Sequence, residues 1–149
     1  MMQQADGNLI MQLGRLLASE YSLYTKIWSF HWNLVGTDFA ERHGLYGDWK
    51  DSLGEDIDVL AERIRQLGES CPSGLEDFAE LSIISDTPPE LINEADSAKE
   101  LYADFCALDS LFQEGINIAE ESDKITSNIL QELGAHVQKT KWFLSSICH

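Results

Sequence analysis

The sequence predicts an all-α protein, a four-helix bundle with a short extra helix in a long crossover between its second and third helices. Apolar residues recur three or four positions apart in four long segments, which is the spacing of one face of an α-helix. The period-two alternation of a strand is nearly absent, and all three prolines fall between residues 68 and 90. With 149 residues, 44% of them hydrophobic, we expect a single domain over residues 1–149.

The first predicted helix covers about residues 7–34 and stops at Gly36, because glycine commonly follows a helix C-terminus. Its apolar stripe consists of Leu9, Leu13, Leu16, Leu17, Tyr24, Ile27, Trp28 and His31. Thr37 or Asp38 can cap the second helix, which ends at Gly68. The second stripe consists of Phe39, Tyr46, Trp49, Leu53, Ile57, Leu60, Ile64 and Leu67. Two long helices joined by so few residues are expected to lie antiparallel.

The crossover, residues 68–90, contains the helix-like piece LEDFAEL. A third helix is expected from about Pro89 to Glu121, and a fourth from near Asp123 almost to the C-terminus. Their stripes are Leu101, Tyr102, Phe105, Leu108, Phe112 and Ile116, then Ile125, Ile129, Leu133, Val137 and Leu144. This order of helices, with one long crossover between two hairpins, is that of the ferritin-like four-helix bundle.

Acidic residues dominate the charge, with 26 Asp and Glu against 10 Lys and Arg and a net charge of −16. Such a field repels phosphate backbones and attracts cations, so metal ions are favoured over nucleic acid as partners. The N-terminal MMQQADGNLIMQLG lacks a basic region followed by an apolar run, and no segment approaches the roughly 18 apolar residues of a membrane span. We therefore expect a cytoplasmic protein with no membrane partner, in which Cys71, Cys106 and Cys148 are reduced thiols.

A candidate metal site begins in the segment FHWNLVGTDFAERH, which places His31 and His43 on either side of a glycine turn. One face of the second helix, separate from the apolar stripe, carries His43, Gly47, Asp51, Gly54, Asp58 and Glu62. The two glycines on this face would let another helix approach closely. The Glu-x-x-His motif of di-iron sites within one bundle does not occur, which disfavours that arrangement.

Distance separates the candidate ligands within one chain. His43 and Asp58 are about 22 Å apart along a straight helix, whereas a metal needs ligands within about 2 Å. His31 lies level with His43 and is as far from Asp58. A second copy that crosses the first antiparallel near Asp51 removes this difficulty. His31 and His43 of one chain would then meet Asp58 and Glu62 of its two-fold mate, giving two identical sites per dimer.

Each of these features also has a purely structural explanation. A lone His31 on an apolar face can be a hydrogen-bonded core histidine, and Asp58 with Glu62 can be a solvated helix face. On an exposed face, Glu62 would pair with Arg65, a contact worth only a few tenths of a kcal/mol. The metal site is favoured over these explanations because one symmetry operation brings all four ligands together.

The spacing of these residues resembles that of the Dps proteins, the mini-ferritins of bacteria and archaea. The matching residues are His31-Trp32-Asn33, Gly36, Phe39, His43, Asp58-x-x-x-Glu62-Arg63, Ser122-Asp123-x-x-Thr126 and Lys141-Trp142-Phe143-Leu144. The resemblance implies a hollow homo-dodecamer with iron sites at its two-fold interfaces. It also implies a ferroxidase, with His31, His43, Asp58 and Glu62 as catalytic and metal-binding residues. Such a protein oxidises Fe(II), preferentially with hydrogen peroxide, and stores the Fe(III) mineral, which protects against oxidative damage.

The resemblance suggests further roles near the site and the expected pores. Trp32 and Trp28 are candidate electron or radical traps, with interface packing as the alternative. Glu121 and Asp123 are candidates for an iron-entry pore, although a negative charge at Asp123 also suits the start of a helix.

The sequence departs from the family pattern at Gly47, where many members carry an aspartate, and this leaves one or two irons per site open. It departs again at Asn128, where members often have an acid. DNA-binding members typically rely on a basic tail, and no basic residue precedes Arg15. Two alternatives to the ferroxidase remain, a Dps-like shell with a weakened site and a nucleoid protein that coats DNA.

Overall fold

The helices of the bundle follow the apolar stripes of the sequence. The computed structural model describes residues 6–149, and residues 1–5, which begin the segment used above to predict a cytoplasmic protein, lie outside the described residues. The elements are α1 (Gly7–Asn33), β1 (Leu34–Val35), α2 (Phe39–Gln66), α3 (Leu75–Leu81), β2 (Ile92–Asn93), α4 (Glu94–Ser122) and α5 (Lys124–Cys148). The predicted all-α bundle with a short helix in its crossover is confirmed.

The four long helices form two hairpins that bury a common core. α1 packs on α2, α4 packs on α5, and α1 also contacts α4. Large side chains from the predicted stripes fill the centre, among them Leu13, Ile27, Tyr46, Phe105 and Phe112, each at most 1% exposed. Full burial of one such side chain contributes about 1.5–3 kcal/mol, so the packed stripes are the main source of stability.

The start of α4 differs from the prediction, which placed it near Pro89. Ile92 instead pairs with Leu34 in a short parallel ladder, and α4 begins only at Glu94. Asn93 caps the helix, because its side-chain oxygen accepts the backbone N–H of Asp96 at 2.8 Å. The prediction was early by about one turn because the strand partner lies far back in the sequence, where no local periodicity reveals it.

The predicted starts of α2 and α5 are confirmed in position, but the capping of α2 differs in chemistry from the prediction. Asp123 caps α5 and accepts hydrogen bonds from the backbone N–H groups of Ile125 and Thr126. Asp38 occupies the cap position of α2, yet its side chain makes no capping hydrogen bond. The N–H of Asp38 instead donates to Oε1 of Glu94 at 2.6 Å. A carboxylate from α4 therefore caps the start of α2.

Two further features of residues 6–149 are the state of the cysteines and the absence of a helix that could span a membrane. Cys71, Cys106 and Cys148 are unpaired and half-buried. No helix within residues 6–149 combines the length and the hydrophobicity that crossing a bilayer requires.

Candidate metal centre

His31, in the last turn of α1, and His43, near the start of α2, lie face to face at the turn of the first hairpin. Their ring centroids are 3.6 Å apart and their planes differ by 15°. Nδ1 of each ring lies 2.7 Å from the backbone oxygen of the other histidine. Because a carbonyl oxygen can only accept, each Nδ1 carries the hydrogen. In a neutral imidazole whose Nδ1 carries the hydrogen, the lone pair lies on Nε2, which is the nitrogen that binds a metal when the other one is held by a hydrogen bond.

Gly47 brings α2 close to the His31 ring. A Cβ at position 47 would lie 3.2 Å from Cε1 of His31, so a side chain there would push the ring by a few tenths of an ångström. A Cβ at Gly54 would lie 3.5 Å from the Tyr24 ring. These glycines do admit another helix closely, as expected, but that helix is α1 of the same chain.

Asp58 and Glu62 lie further along α2, and both are exposed. Neither carboxylate forms a hydrogen bond or a salt bridge with another residue in the described part of the chain. The alternative Glu62–Arg65 pair is not formed, because the Arg65 guanidinium donates to the backbone oxygen of Glu69 at 2.7 Å. Two neighbouring carboxylates are thus left without partners on the outside of a single chain.

The structure brings the histidines together but does not bring them to the carboxylates. Within residues 6–149, no three His, Cys, Asp or Glu side chains lie close enough to hold a metal ion. This agrees with the helix geometry, which places His43 and Asp58 about 22 Å apart. The predicted four-ligand site would therefore need a second copy of the chain.

Trp28 and Trp32 form an aromatic pair beside the histidines. Their ring centroids are 4.8 Å apart, and the Trp28 ring meets His31 edge-on at 5.8 Å. The Lys50 ammonium lies 3.9 Å from the centroid of the Trp28 ring, a favourable cation–π contact. Trp32 is 65% exposed, so it is the member of the pair that is open to solvent or to a partner.

The two residues predicted for an iron-entry pore differ in their surroundings. Glu121 is exposed. Asp123 is bonded to Thr126 and, at 2.9 Å, to the guanidinium of Arg63. Burial acts to raise the pKa of Asp123, but the hydrogen bonds from Thr126 and Arg63 outweigh it and hold this pKa below its usual range. Because Arg63 compensates the charge of Asp123, Glu121 offers the freer charge for attracting a cation.

Sequence analysis missed Glu94, which links the start of α4 to the histidine hairpin. Its carboxylate bonds to Asp38, and its backbone oxygen accepts a hydrogen bond from Arg42 at 3.0 Å. The partners are more than fifty positions apart, and the only local signal was Gly36, where a Cβ would overlap the Glu94 carboxylate.

The chain is similar to known proteins over nearly its whole length. The family model described as "Ferritin-like domain" matches residues 10–149. A protein named "DNA protection during starvation protein" from Helicobacter pylori is 33% identical over 135 residues, which cover 90% of this chain and 94% of that protein.

Solved structures share the same architecture. Antigen TpF1 from Treponema pallidum superimposes with a TM-score of 0.92 at 28% identity and covers 96% of this chain and 95% of its own. A Dps protein from Bacillus brevis gives a TM-score of 0.91 at 26% identity, with 95% of each chain covered.

Proposed function

The chain belongs to the ferritin-like domain family and, within it, to the Dps proteins, and we propose that it is a ferroxidase that oxidises Fe(II) and stores the ferric product. Iron is the substrate and the cargo of this activity. The sites lie between subunits related by two-fold axes, in a hollow homo-dodecamer. His31 and His43 come from one subunit, and Asp58 and Glu62 come from its mate.

The reciprocal hydrogen bonds of His31 and His43 are the observation that carries this proposal. They fix the orientation of both rings and leave both Nε2 atoms available. A pair of core histidines with only a structural role would not need to leave both Nε2 atoms without a hydrogen-bond partner in the described part of the chain. The exposed and unpartnered Asp58 and Glu62 supply the complementary half from a second copy.

The ligand set suits the oxidation of iron. Carboxylate oxygens are hard anionic ligands that stabilise Fe(III) more than Fe(II), whereas neutral imidazoles add moderate affinity. Binding to Asp58 and Glu62 therefore makes the electron easier to remove. The net charge of −16 concentrates Fe(II) around the protein at low ionic strength.

We propose hydrogen peroxide as the preferred oxidant. One peroxide accepts two electrons, one from each of two Fe(II) ions, and with two protons it becomes two molecules of water. This reaction consumes Fe(II) and peroxide together, so it removes both reactants that would otherwise generate damaging radicals. Protection by this chemistry needs no DNA contact, which a chain of charge −16 disfavours.

The test is anaerobic loading of the purified assembly with Fe(II), followed by limiting hydrogen peroxide. Wild-type protein is expected to oxidise two irons per peroxide, much faster than buffer. Asp58→Ala combined with Glu62→Ala should lower the rate nearly to that of buffer, because the site loses both anionic ligands. The matched control combines Asp48→Ala with Glu55→Ala, which removes two exposed acids from the same helix and should leave the rate unchanged.

Two outcomes would contradict the proposal. If wild-type protein oxidised Fe(II) no faster than buffer, the chain would have the Dps fold without ferroxidase activity. Equal rates in wild-type protein and in the Asp58→Ala, Glu62→Ala variant would move the oxidation site elsewhere.

A further inference from the structure

We propose that Glu94 is a positioning residue that holds the His31–His43 pair in its metal-binding arrangement. The inference rests on the proposed function, since it concerns the same histidines. Glu94 is the first residue of α4 and forms no hydrogen bond with either imidazole, so it acts through the backbone of the hairpin.

The first contact caps α2 from another element. The first N–H groups of a helix lack partners within the helix, and an anion placed there is favoured by the helix dipole. Asp38 does not provide such a group for α2, because its side chain makes no capping bond. The Glu94 carboxylate accepts the N–H of Asp38 at 2.6 Å and so makes the capping hydrogen bond that the Asp38 side chain does not make.

Further contacts follow at intervals of one helical turn. Arg42 donates to the backbone oxygen of Glu94 at 3.0 Å, and Ser97 donates to the same oxygen at 3.0 Å. Tyr46 is hydrogen-bonded to the Ser97 hydroxyl at 2.7 Å. Residues 38, 42 and 46 are spaced four apart, so one face of the first two turns of α2 is fastened to the start of α4.

The turn before α2 is built around the same carboxylate. Gly36 has a φ of +145°, and a Cβ there would overlap the carboxylate of Glu94. The adjoining β1 and β2 pair in parallel, with Leu34 opposite Ile92, and this ladder brings the Glu94 backbone to the hairpin. The Glu94 carboxylate therefore occupies the volume that a side chain at position 36 would fill.

The histidine pair depends on the part of α2 that these contacts hold. The ring of His31 is bonded to the backbone oxygen of His43, and the ring of His43 to that of His31. Both bonds therefore require a fixed distance between the last turn of α1 and the first turns of α2. His43 directly follows Arg42, so fraying of this end of α2 would break both bonds and free both rings to turn.

The experiment measures anaerobic binding of Co(II), an oxidation-resistant probe, by its visible absorption in the purified assembly. Glu94→Ala is expected to weaken Co(II) binding about ten- to a hundredfold, the usual effect of removing a group that orients metal ligands. Glu94→Gln should restore most of the affinity and the wild-type spectrum, because its amide oxygen can still accept the Asp38 N–H. Glu114→Ala, an exposed acid on the same helix, is the matched control and should bind as wild type.

A second variant covers the case in which Glu94→Ala fails to assemble. Gly36→Ala keeps the carboxyl group but forces it away from the turn, and it should weaken Co(II) binding in the same direction. Where Glu94→Ala does assemble, adding Gly36→Ala to it should weaken binding by less than in the wild-type background, because the overlap is already gone.

Co(II) affinity and spectrum unchanged in both Glu94→Ala and Gly36→Ala would overturn the inference. So would equal weakening by Glu94→Gln and Glu94→Ala, since the hydrogen bond to Asp38 would then not matter. Wild-type protein that binds no Co(II) would instead refute the proposed metal site, and the inference with it.

Discussion

Glu20 is a buried acid in the middle of α1, away from the histidines. It is fully buried, and within the described residues neither of its carboxylate oxygens has a hydrogen-bond partner. Burial first, and then the nearby charge of Asp56, raises the pKa of Glu20 well above its ordinary value of 4.5. Asp56 differs, because His136 of α5 lies within 3.0 and 3.2 Å of its two oxygens. Glu20 is therefore the unsatisfied member of the pair.

We predict that Glu20→Gln stabilises the protein at neutral pH. A raised folded-state pKa means that the folded chain keeps a proton which the unfolded chain releases above about pH 4.5. Stability therefore falls as pH rises from there towards the folded-state pKa, and stays low above it. Glutamine cannot ionise and so removes this loss, and the variant should be more stable than the wild type at pH 7.

Thermal unfolding of wild-type protein and of Glu20→Gln between pH 4 and pH 8 checks this prediction. The curves should converge near pH 4 and separate as pH rises, and Glu114→Ala should follow the wild type. Equal pH slopes for the wild type and Glu20→Gln would show that Glu20 carries no such penalty.

Among the helices, α2 is hydrogen-bonded to the second hairpin, α4 and α5, at both of its ends. Glu94 holds its start, and Arg63 holds its last turns. The Arg63 guanidinium donates to the hydroxyl of Thr126 at 3.0 Å and to the carboxylate of Asp123 at 2.9 Å, at the start of α5. Because Arg63 follows Glu62 directly, this contact also fixes the end of α2 that carries the proposed carboxylate ligand.

Arg63→Lys is expected to lower stability by about 1–3 kcal/mol, because lysine cannot reproduce the planar fork that reaches two acceptors. The pKa of Asp123 is held below its ordinary value of 3.8, so the stability from this pair is present above that pH and is lost as pH falls through the folded-state pKa. The difference between wild type and variant should therefore shrink in acid.

Thermal unfolding at pH 7 and near pH 3 measures this difference. Arg65→Lys is the matched control, since Arg65 donates to a backbone oxygen near the end of the same helix and is exposed. If Arg65→Lys destabilises the protein as much as Arg63→Lys, the contact with α5 is not the cause.

For the whole assembly, the proposed site takes its ligands from two copies of the chain, so two different defective variants should complement one another. One variant lacks the histidines (His31→Ala, His43→Ala), and the other lacks the carboxylates (Asp58→Ala, Glu62→Ala). Random pairing gives about half mixed dimers, and each mixed dimer regains one of its two sites.

Co-expression of the two variants in equal amounts should therefore restore about a quarter of the wild-type peroxide-driven Fe(II) oxidation. Each variant expressed alone should remain near the rate of buffer. No recovery in assemblies shown by mass to contain both chains would contradict a site shared across the two-fold interface.

Local sequence patterns were enough to predict the helices and the two proposed half-sites, which are His31 with His43 and Asp58 with Glu62. Apolar residues at a spacing of three to four residues predict a helix and its buried face, because both follow from local geometry. The same arithmetic set His31 level with His43 and showed that Asp58 lies too far along α2 to share an ion in one chain. These conclusions need only the rise and rotation per residue of a helix.

The contacts that hold those residues in place depend instead on tertiary packing. The bond from Asp38 to Glu94, the pairing of Leu34 with Ile92 and the isolation of Glu20 in the core join residues that are distant in sequence. No periodicity marks such partners, because hydrogen bonding and desolvation depend on which side chains packing brings together. The tautomers of His31 and His43 followed only from seeing each ring against the other's carbonyl oxygen.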